Sequence, residues 1–345
     1  MLRLLGVVLI FLVAALSQAQ ELPRCFFRPQ TIILLRTHLG VCPELILSVP
    51  YLPGRVFTSI AVDEARRLYL AEPTAGTVWR ADDTDGDGVP DALQPFLTAL
   101  DTPASLLYHA NTLYIAGGQR LYAYDGATLV TLRDDLPVAA GQTVRLLLVR
   151  DGRLLLSMGG CAGCDQPAQV LSLALDGSGG DLMVMRKGAL AAADGEALFF
   201  TVGNGQDGLY ALGDDGDIRR LMGLPSGAEP VALVPYDGEA FPQFSGQALL
   251  LLAGTELAED PPGFMLLAVD GLGQEALQVS TLIPGFIDMP VARVPIGGEY
   301  RNPQANTFNR NGDGLYPQRL MGLAVDDRGW IYVLLARGAV IMLRP

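Results

Sequence analysis

The sequence predicts an all-β protein, a six-bladed β-propeller whose last blade is closed by a strand from near the N-terminus. A unit of short apolar strands joined by Asp-Gly or other glycine turns recurs six times, at a spacing of roughly 40 to 50 residues. The 345 residues include 40 glycines and 23 prolines, a composition that favours short strands and tight turns. Stretches with helical periodicity are nearly absent, which argues against α/β folds.

The six units follow one another along a propeller domain predicted over residues 44–345. They begin at Phe57, Ala104, Val144, Gly188, Pro230 and Arg319, and the copy from Pro230 is expanded. The last unit has only three strands, so the strand ELILSVPYL that starts at Glu44 is expected to complete it. This closure removes the open edge between the first blade and the last. An irregular β-sandwich or two small sheets is the alternative.

Residues 1–19 have the features of a secretory signal peptide. Arg3 precedes an apolar run from Leu4 to Leu16, and Ser17-Gln18-Ala19 offers small residues for cleavage. The run is shorter than the roughly 20 residues of a comfortable membrane-spanning helix. An uncleaved membrane anchor is the alternative. We therefore expect a secreted or periplasmic protein that has no membrane contact after cleavage.

The net charge restricts the partners, and the four cysteines indicate disulfides. A formal charge of −13 argues against nucleic acids and anionic membrane surfaces, which need basic patches. No protein partner is identified by the sequence. In an oxidising compartment an even number of cysteines favours pairing. Cys25 and Cys42 are expected to close a loop within or beside the N-terminal extension, residues 20–43.

Cys161 and Cys164 stand three apart in a glycine-rich turn, where we expect a local structural disulfide. A zinc site would need two further ligands, and the chain has only His38 and His109 besides. A thioredoxin-like redox motif would need a helix after the first cysteine, which a glycine and a proline in this segment oppose.

The segment DDTDGDGVPD, residues 82–91, has the ligand spacing of a calcium loop. The carboxylates at loop positions 1, 3, 5 and 9 are Asp83, Asp85, Asp87 and Asp91. Gly88 at position 6 permits the sharp bend, whereas position 12 is Gln94 in place of a bidentate glutamate. A solvated acidic loop is the alternative. The similar NRNGDG stretch, residues 309–314, has fewer charges and is interpreted as a turn.

Several segments of the propeller region match a known family in order along the chain. They are RLYLAE, LLLVRDGRLLLSMGGCAGC, LALDGSGGD, TVGNGQDGL, PYDGEAFPQFSGQALLLLAG and RLMGLAVDDRGWIYV. Together they resemble the secreted sugar dehydrogenases that use pyrroloquinoline quinone (PQQ), in the sorbosone and soluble glucose dehydrogenase group. The resemblance covers most of the chain from Glu44 onward.

The resemblance implies a six-bladed propeller that holds the quinone at the mouth of its channel. In the family a histidine takes a proton from the sugar hydroxyl, hydride passes to the quinone, and calcium holds the quinone's carboxylates. Arg319 matches a quinone-binding arginine, and Asn204 and Asp207 fall in another matched segment. The implied cofactors are therefore calcium and PQQ, and the implied substrate is a small sugar.

Several family residues are replaced in this chain. The position of the catalytic histidine is Gln142, which cannot take a proton. A quinone-contacting Arg-Asn pair corresponds to Leu190 and Ala191, and a Gly-Ser-Trp-Asn-Arg stretch corresponds to residues 254–258. His109 is interpreted as a surface residue in the turn of the second unit.

Three functions remain open at this point. The first is a PQQ-dependent sugar dehydrogenase in which Asp207 or Glu256 replaces the histidine as base. The second is a non-catalytic propeller that binds a ligand or partner at its channel mouth and uses calcium structurally. The third is another propeller enzyme, such as a lactonase, with a metal held by carboxylates in the channel. The strand starts offer few such ligands, since they include Thr58, Ala104, Val144 and Met321.

Overall fold

The structure, a computed structural model, is an all-β propeller, which confirms the predicted fold class. It describes residues 25, 40–48, 54–159, 169–184, 189–194, 197–202, 208–212, 218–224, 230–253, 265–270, 276–283, 292–295 and 319–345. Within these ranges there is no α-helix and no helix long and apolar enough to cross a membrane. A 3-10 turn, Pro242–Phe244, precedes one of the strands. The predicted signal segment, residues 1–19, lies outside the described residues.

The strands form six antiparallel sheets, five of which follow the chain in order. Strand β1 (Cys42–Leu47) comes first but belongs to the last sheet. The first sheet is β2 (Ser59–Val62), β3 (Leu68–Glu72), β4 (Thr77–Asp82) and β5 (Ala92–Leu97). The second sheet is β6 (Pro103–His109), β7 (Thr112–Gly117), β8 (Arg120–Tyr124) and β9 (Leu129–Arg133). The third sheet is β10 (Thr143–Arg150), β11 (Arg153–Gly159), β12 (Gln169–Ala174) and β13 (Asp181–Val184).

The remaining sheets complete the chain. The fourth sheet is β14 (Ala189–Asp194), β15 (Ala197–Val202), β16 (Gly208–Leu212) and β17 (Ile218–Gly223). The fifth sheet is β18 (Pro230–Tyr236), β19 (Gln247–Leu252), β20 (Met265–Asp270), β21 (Ala276–Ile283) and β22 (Ala292–Pro295). The sixth sheet is β23 (Leu320–Val325), β24 (Ile331–Leu335) and β25 (Val340–Arg344), joined by β1. The expanded copy predicted from Pro230 is thus the sheet with a fifth strand.

The first strands of the six sheets lie side by side around a common centre. The inner strands contact one another in the order β2, β6, β10, β14, β18 and β23. Strand β23 in turn contacts β2. The inner strands therefore form a closed ring around a central channel. Later strands of a sheet lie progressively farther from the channel, in the manner of propeller blades.

Burial follows this radial order and explains the sequence pattern. The second strands β3 and β24 are buried at every position, because both faces of the strand pack against neighbouring sheets. Apolar clusters fill the space between the first and second sheets and between the sixth and first sheets. The outer strands β5 and β9 are half-buried or exposed at every position.

The N-terminal strand closes the ring, and it begins at Cys42 rather than at the predicted Glu44. Strand β1 pairs with β25 from Cys42 opposite Arg344 to Leu47 opposite Val340, so the pairing extends two residues earlier than the apolar pattern indicated. Glu44 is buried, and Arg344 donates to its carboxylate from Nε at 3.1 Å and from Nη2 at 3.2 Å. A disulfide joins Cys42 to Cys25, the pair that the sequence favoured.

Buried aspartates shape the turns that follow the inner strands of the first and sixth sheets. Asp63 accepts hydrogen bonds from Arg67 Nε at 2.6 Å and from the Tyr69 hydroxyl at 3.0 Å. Asp326 has the same role in the sixth sheet, where it accepts from the Tyr332 hydroxyl at 3.1 Å. Burial and the adjacent aspartate raise the pKa of both phenols, so each tyrosine remains a donor. These aspartates are therefore structural.

Candidate functional site: the central channel

A cavity of about 300 Å³ lies inside the ring of inner strands. Its described wall comes from β2, β6, β10, β18 and β23, together with the residue before β2. Most of the wall is aliphatic. The polar and charged members of the described wall are Thr58, Ser59, Ser105, Tyr108 and Arg145. The surface that the wall residues expose to the cavity is nonetheless more polar than apolar, and a cavity with a few convergent polar groups is a usual setting for small-molecule binding.

Two serines on the wall bind the backbone of the next inner strand. The inner strand of each sheet has one edge that no further strand covers, and its backbone groups need other partners. Ser59 on β2 accepts from the Leu106 N–H at 3.0 Å, and Ser105 on β6 accepts from the Leu146 N–H at 2.9 Å. These hydroxyls therefore join neighbouring sheets in addition to lining the channel.

Arg145 occupies the position on β10 that Ser105 occupies on β6, the third residue of the strand. Its Nη1 donates to the Val231 carbonyl of β18 at 3.3 Å, and the side chain is half-buried. It is the one cation in the described channel wall. The sequence analysis did not select Arg145, although a charge in an apolar inner strand, where two other units have serine, was a usable signal.

Gln142, at the position of the family's histidine, closes a turn before β10. Its side-chain Oε1 accepts from the Ala139 N–H at 3.0 Å, and its own N–H donates to the Ala139 carbonyl at 3.0 Å. Gln142 is not part of the described cavity wall. The Gln142 side chain is thus bonded to the backbone of its own turn. This turn lies at the end of the channel at which β10 begins.

Arg319 lies one residue before β23, at the end of the channel where the inner strands begin. Its carbonyl accepts from the Ala336 N–H at 2.9 Å, and it is outside the described cavity wall. His109 ends β6 and is exposed, which confirms its interpretation as a surface residue. The structure does not bring either residue into the cavity.

The other predicted site residues lie outside the described residues, and their roles stay predictions. They are His38, Cys161, Cys164, Asn204, Asp207, Glu256 and the 309–314 turn. Asn204 and Asp207 fall between β15 and β16, and Glu256 falls between β19 and β20. Since sheets are antiparallel, the strand ends that border these segments lie at the same end of the propeller as Arg319.

The acidic loop folds into a compact turn between β4 and β5. Asp83 accepts from the Gly86 N–H at 2.8 Å and from the Gly88 N–H at 2.7 Å. Asp91 accepts from the Thr84 N–H at 2.7 Å and from the Thr84 hydroxyl. The hydrogen bond from this hydroxyl is the main cause that lowers the pKa of Asp91, which keeps its carboxylate ionised.

Three of the four predicted calcium ligands come together in this loop. Carboxylate oxygens of Asp83, Asp85 and Asp91 lie within 4.8 Å of one another, a grouping that could hold a cation. Asp87 is not part of this group, and its carboxylate instead accepts from the Val89 N–H at 2.7 Å. The three carboxylates that meet on this tight turn fit a calcium ion. The sequence had predicted four.

The acidic loop lies away from the central cavity. It follows the end of β4, beside the turn between β2 and β3, at the opposite end of the first sheet from the start of β2. No residue of the loop is in the described cavity wall. A cation held there would stabilise the connection between β4 and β5 and would not contact a ligand in the channel.

Comparisons with known proteins do not identify a family. No family model matches the chain. A stretch of 111 residues is 33% identical to the hemin import ATP-binding protein HmuV of Gloeobacter violaceus, covering 31% of this chain and 36% of that protein. The chain thus spans about a third of this curated relative. The sequence has no Gly-x-x-x-x-Gly-Lys phosphate loop, which ATP-binding proteins of the P-loop type contain.

Solved structures match over most of the chain. A luciferin-regenerating enzyme aligns with a TM-score of 0.57 and 10% identity, over 89% of this chain and 96% of its own. The calcium structure of a Trichoderma reesei enzyme of Carbohydrate-Active Enzymes family AA12 aligns with 0.53 and 15%, over 91% and 98%. Virginiamycin B lyase from Staphylococcus aureus aligns with 0.51 and 11%, over 94% and 99%. At such identities the likeness shows the fold alone, and that fold is a β-propeller.

Proposed function

We propose that this chain is an exported six-bladed propeller, related to the PQQ-dependent sugar dehydrogenases, that binds a small organic ligand in its central channel. The observation that carries the proposal is the cavity of about 300 Å³ inside the ring of inner strands. Its volume is at the lower end of the range for small-molecule sites, and polar side chains lie among the aliphatic residues of its wall. Each of the six sheets serves as one blade, and β1 closes the last of them.

The position of Gln142 favours binding over dehydrogenase chemistry. A sugar dehydrogenase of the family type needs a base that accepts a proton near neutral pH, which an amide cannot do. The Gln142 side-chain oxygen accepts a hydrogen bond from the Ala139 N–H, so the residue has a structural role in the turn before β10. A missing base lowers the rate by roughly 10² to 10⁴.

Calcium has a structural role in this proposal. The cluster of Asp83, Asp85 and Asp91 fits a hard cation, and the loop is remote from the cavity. Bound calcium would hold the loop between β4 and β5 closed on the outer part of the first sheet. This differs from the role that the resemblance implies, in which calcium contacts the quinone.

A second candidate function is a working PQQ-dependent sugar dehydrogenase with a rebuilt site. The observation in its favour is the place of Arg319, at the end of the channel where the matched segments with Asn204, Asp207 and Glu256 also leave the sheets. The quinone, when bound, would accept hydride from the sugar. Arg319 and Asn204 would bind its polar groups, and Asp207 or Glu256 would take the proton.

Export rests on the sequence of residues 1–19 and agrees with the disulfide between Cys25 and Cys42, since such bonds persist in oxidising compartments. We propose a secreted or periplasmic protein. The charge of −13 supports a small-molecule ligand rather than nucleic acid or an anionic membrane.

The test is a titration of the calcium-loaded mature protein with PQQ, 2-naphthoate and 2-naphthamide, followed by absorbance or fluorescence. Ala232→Trp introduces a bulky ring at a residue that lines the cavity and also packs against the apolar core, so circular dichroism checks its fold, and Val130→Trp on the exposed outer strand β9 is the control. Binding that is saturable, one to one, and lost only in Ala232→Trp would support a channel site. Absence of saturable binding for all three compounds would contradict it.

The second candidate is tested with the same preparation. Aldoses are added to the protein and PQQ together with a dye acceptor. Dye reduction that depends on aldose would support dehydrogenase activity. Loss of this activity in Asp207→Asn or in Glu256→Gln would then identify the base. Quinone binding without dye reduction would leave ligand binding as the function.

A further inference from the structure

We propose that Arg145 makes the channel selective for a small organic anion, a carboxylate with an apolar body. This inference rests on the proposed ligand binding in the channel, and it specifies the chemical class of the ligand. The observation behind it is a guanidinium that is the one charged group on the described cavity wall, in a protein whose net charge is strongly negative.

The neighbouring sheets show that Arg145 is not needed for the ordinary packing of this position. On β2 and β6, short hydroxyl side chains, Ser59 and Ser105, are sufficient to bind the backbone of the next inner strand. Arg145 extends instead to the Val231 carbonyl on β18, two sheets farther around the ring. An arginine at this position therefore adds a charge to the channel that a serine would not supply.

The guanidinium is suited to hold a carboxylate. It is planar and always charged, and its five N–H donors fit the two oxygens of a carboxylate. It can therefore bind a ligand oxygen while it keeps its bond to Val231. A concave site lined by otherwise uncharged residues strengthens the attraction to an anion relative to the same contact on an open surface.

The rest of the cavity wall determines the body of the ligand. Leu146, Leu233, Val234, Met321 and Leu323 are among the apolar residues that line the cavity. An apolar ring or chain removed from water against these side chains supplies affinity, and the guanidinium supplies the preference for a negative charge.

The experiment compares two probes of equal shape, 2-naphthoate and neutral 2-naphthamide, in the wild type and in Arg145→Gln. Arg150→Gln is the matched control, an arginine of the same strand outside the described cavity wall. We expect the wild type and Arg150→Gln to prefer naphthoate by about ten- to a hundred-fold, the range for a hydrogen bond to a charged group. Arg145→Gln should bind both probes about equally.

The outcomes separate this inference from the proposed function. Naphthamide binding reports that the channel is intact, so Arg145→Gln that binds naphthamide and still prefers naphthoate would overturn the role of Arg145 and leave channel binding standing. A wild type that binds neither probe would overturn this inference, and the proposed ligand binding would be overturned as well only if PQQ also fails to bind.

A measurement on the wild type does not depend on the folding of any variant. Naphthoate should protect Arg145 from the arginine reagent phenylglyoxal, as mapped by peptide mass, and naphthamide should protect it less. Equal modification of Arg145 with and without naphthoate would contradict the inference.

Discussion

Glu44 and Arg344 form an ion pair between β1 and β25 of the sixth sheet, and this pair allows a quantitative test of how the propeller is stabilised. Glu44 on β1 has a fully buried side chain, and the Arg344 side chain on β25 is 19% exposed. Two hydrogen bonds of 3.1 and 3.2 Å join the guanidinium to both carboxylate oxygens, across 300 residues of sequence. Glu44→Gln keeps the size of the side chain and removes its charge.

The expected loss is about 3–5 kcal/mol of unfolding free energy, the effect of removing one partner of a buried ion pair. The loss arises because Arg344 then loses the carboxylate that balances its charge in a largely buried position. Glu44→Leu combined with Arg344→Met replaces both charges by apolar side chains and should recover most of the loss. Asp135→Asn is the control, since its pair with Arg133 is 69% exposed at the carboxylate and should contribute less than about 1 kcal/mol.

Urea unfolding followed by tryptophan fluorescence is the assay. Trp79 lies on β4 of the first sheet and Trp330 precedes β24 of the sixth, so both report on sheets next to the closure. A loss below about 1 kcal/mol for Glu44→Gln, or a double variant no more stable than the single one, would refute the reasoning that this pair stabilises the closed ring.

Three further predictions concern the disulfide, the acidic loop and the channel wall. Replacing Cys25 and Cys42 together by serine should lower the unfolding free energy by about 3 kcal/mol, because the bond closes a loop with a sequence separation of 17; an unchanged urea midpoint would contradict this. Calorimetry should show calcium binding that Asp83→Asn weakens. Because hydrogen bonds from Thr84 lower the pKa of Asp91, the contribution of this carboxylate to stability should persist at mildly acidic pH and disappear only as pH falls through that lowered pKa; loss at or above the ordinary aspartate pKa would contradict it. Ser105→Val should lose about 1–3 kcal/mol in urea unfolding, since the Leu146 N–H loses its acceptor, whereas Ser105→Thr should lose less.

The order of strands followed from local sequence features. The six predicted units begin within one residue or two of the inner strands, and the three-strand unit at the end correctly required a strand from the N-terminus. These features are readable because an apolar run between turn residues is a property of a few neighbouring residues. The start of β1 was predicted two residues late, because Cys42 and Pro43 lack the apolar pattern and join the strand through pairing with β25.

The site was predicted less completely than the fold. The acidic loop was recognised because its ligands are adjacent in sequence, and the structure brings three of them together. Arg145 was overlooked because the apolar pattern of β10 shows that the strand is buried and does not show which residue reaches the channel. Gln142 was identified by resemblance, whereas its bond to the Ala139 N–H required the folded turn.

The sequence by itself determined the propeller class, the succession of strands and turns, the pairing partner of Cys25 and the acidic loop. Each of these depends on composition or on residues close together in the chain. Only the tertiary structure decided that Arg145 lines the cavity, that the acidic loop lies away from it, and that Glu44 meets Arg344. These facts depend on closing the ring, which brings residues hundreds of positions apart into contact, and local periodicity carries no information about such contacts.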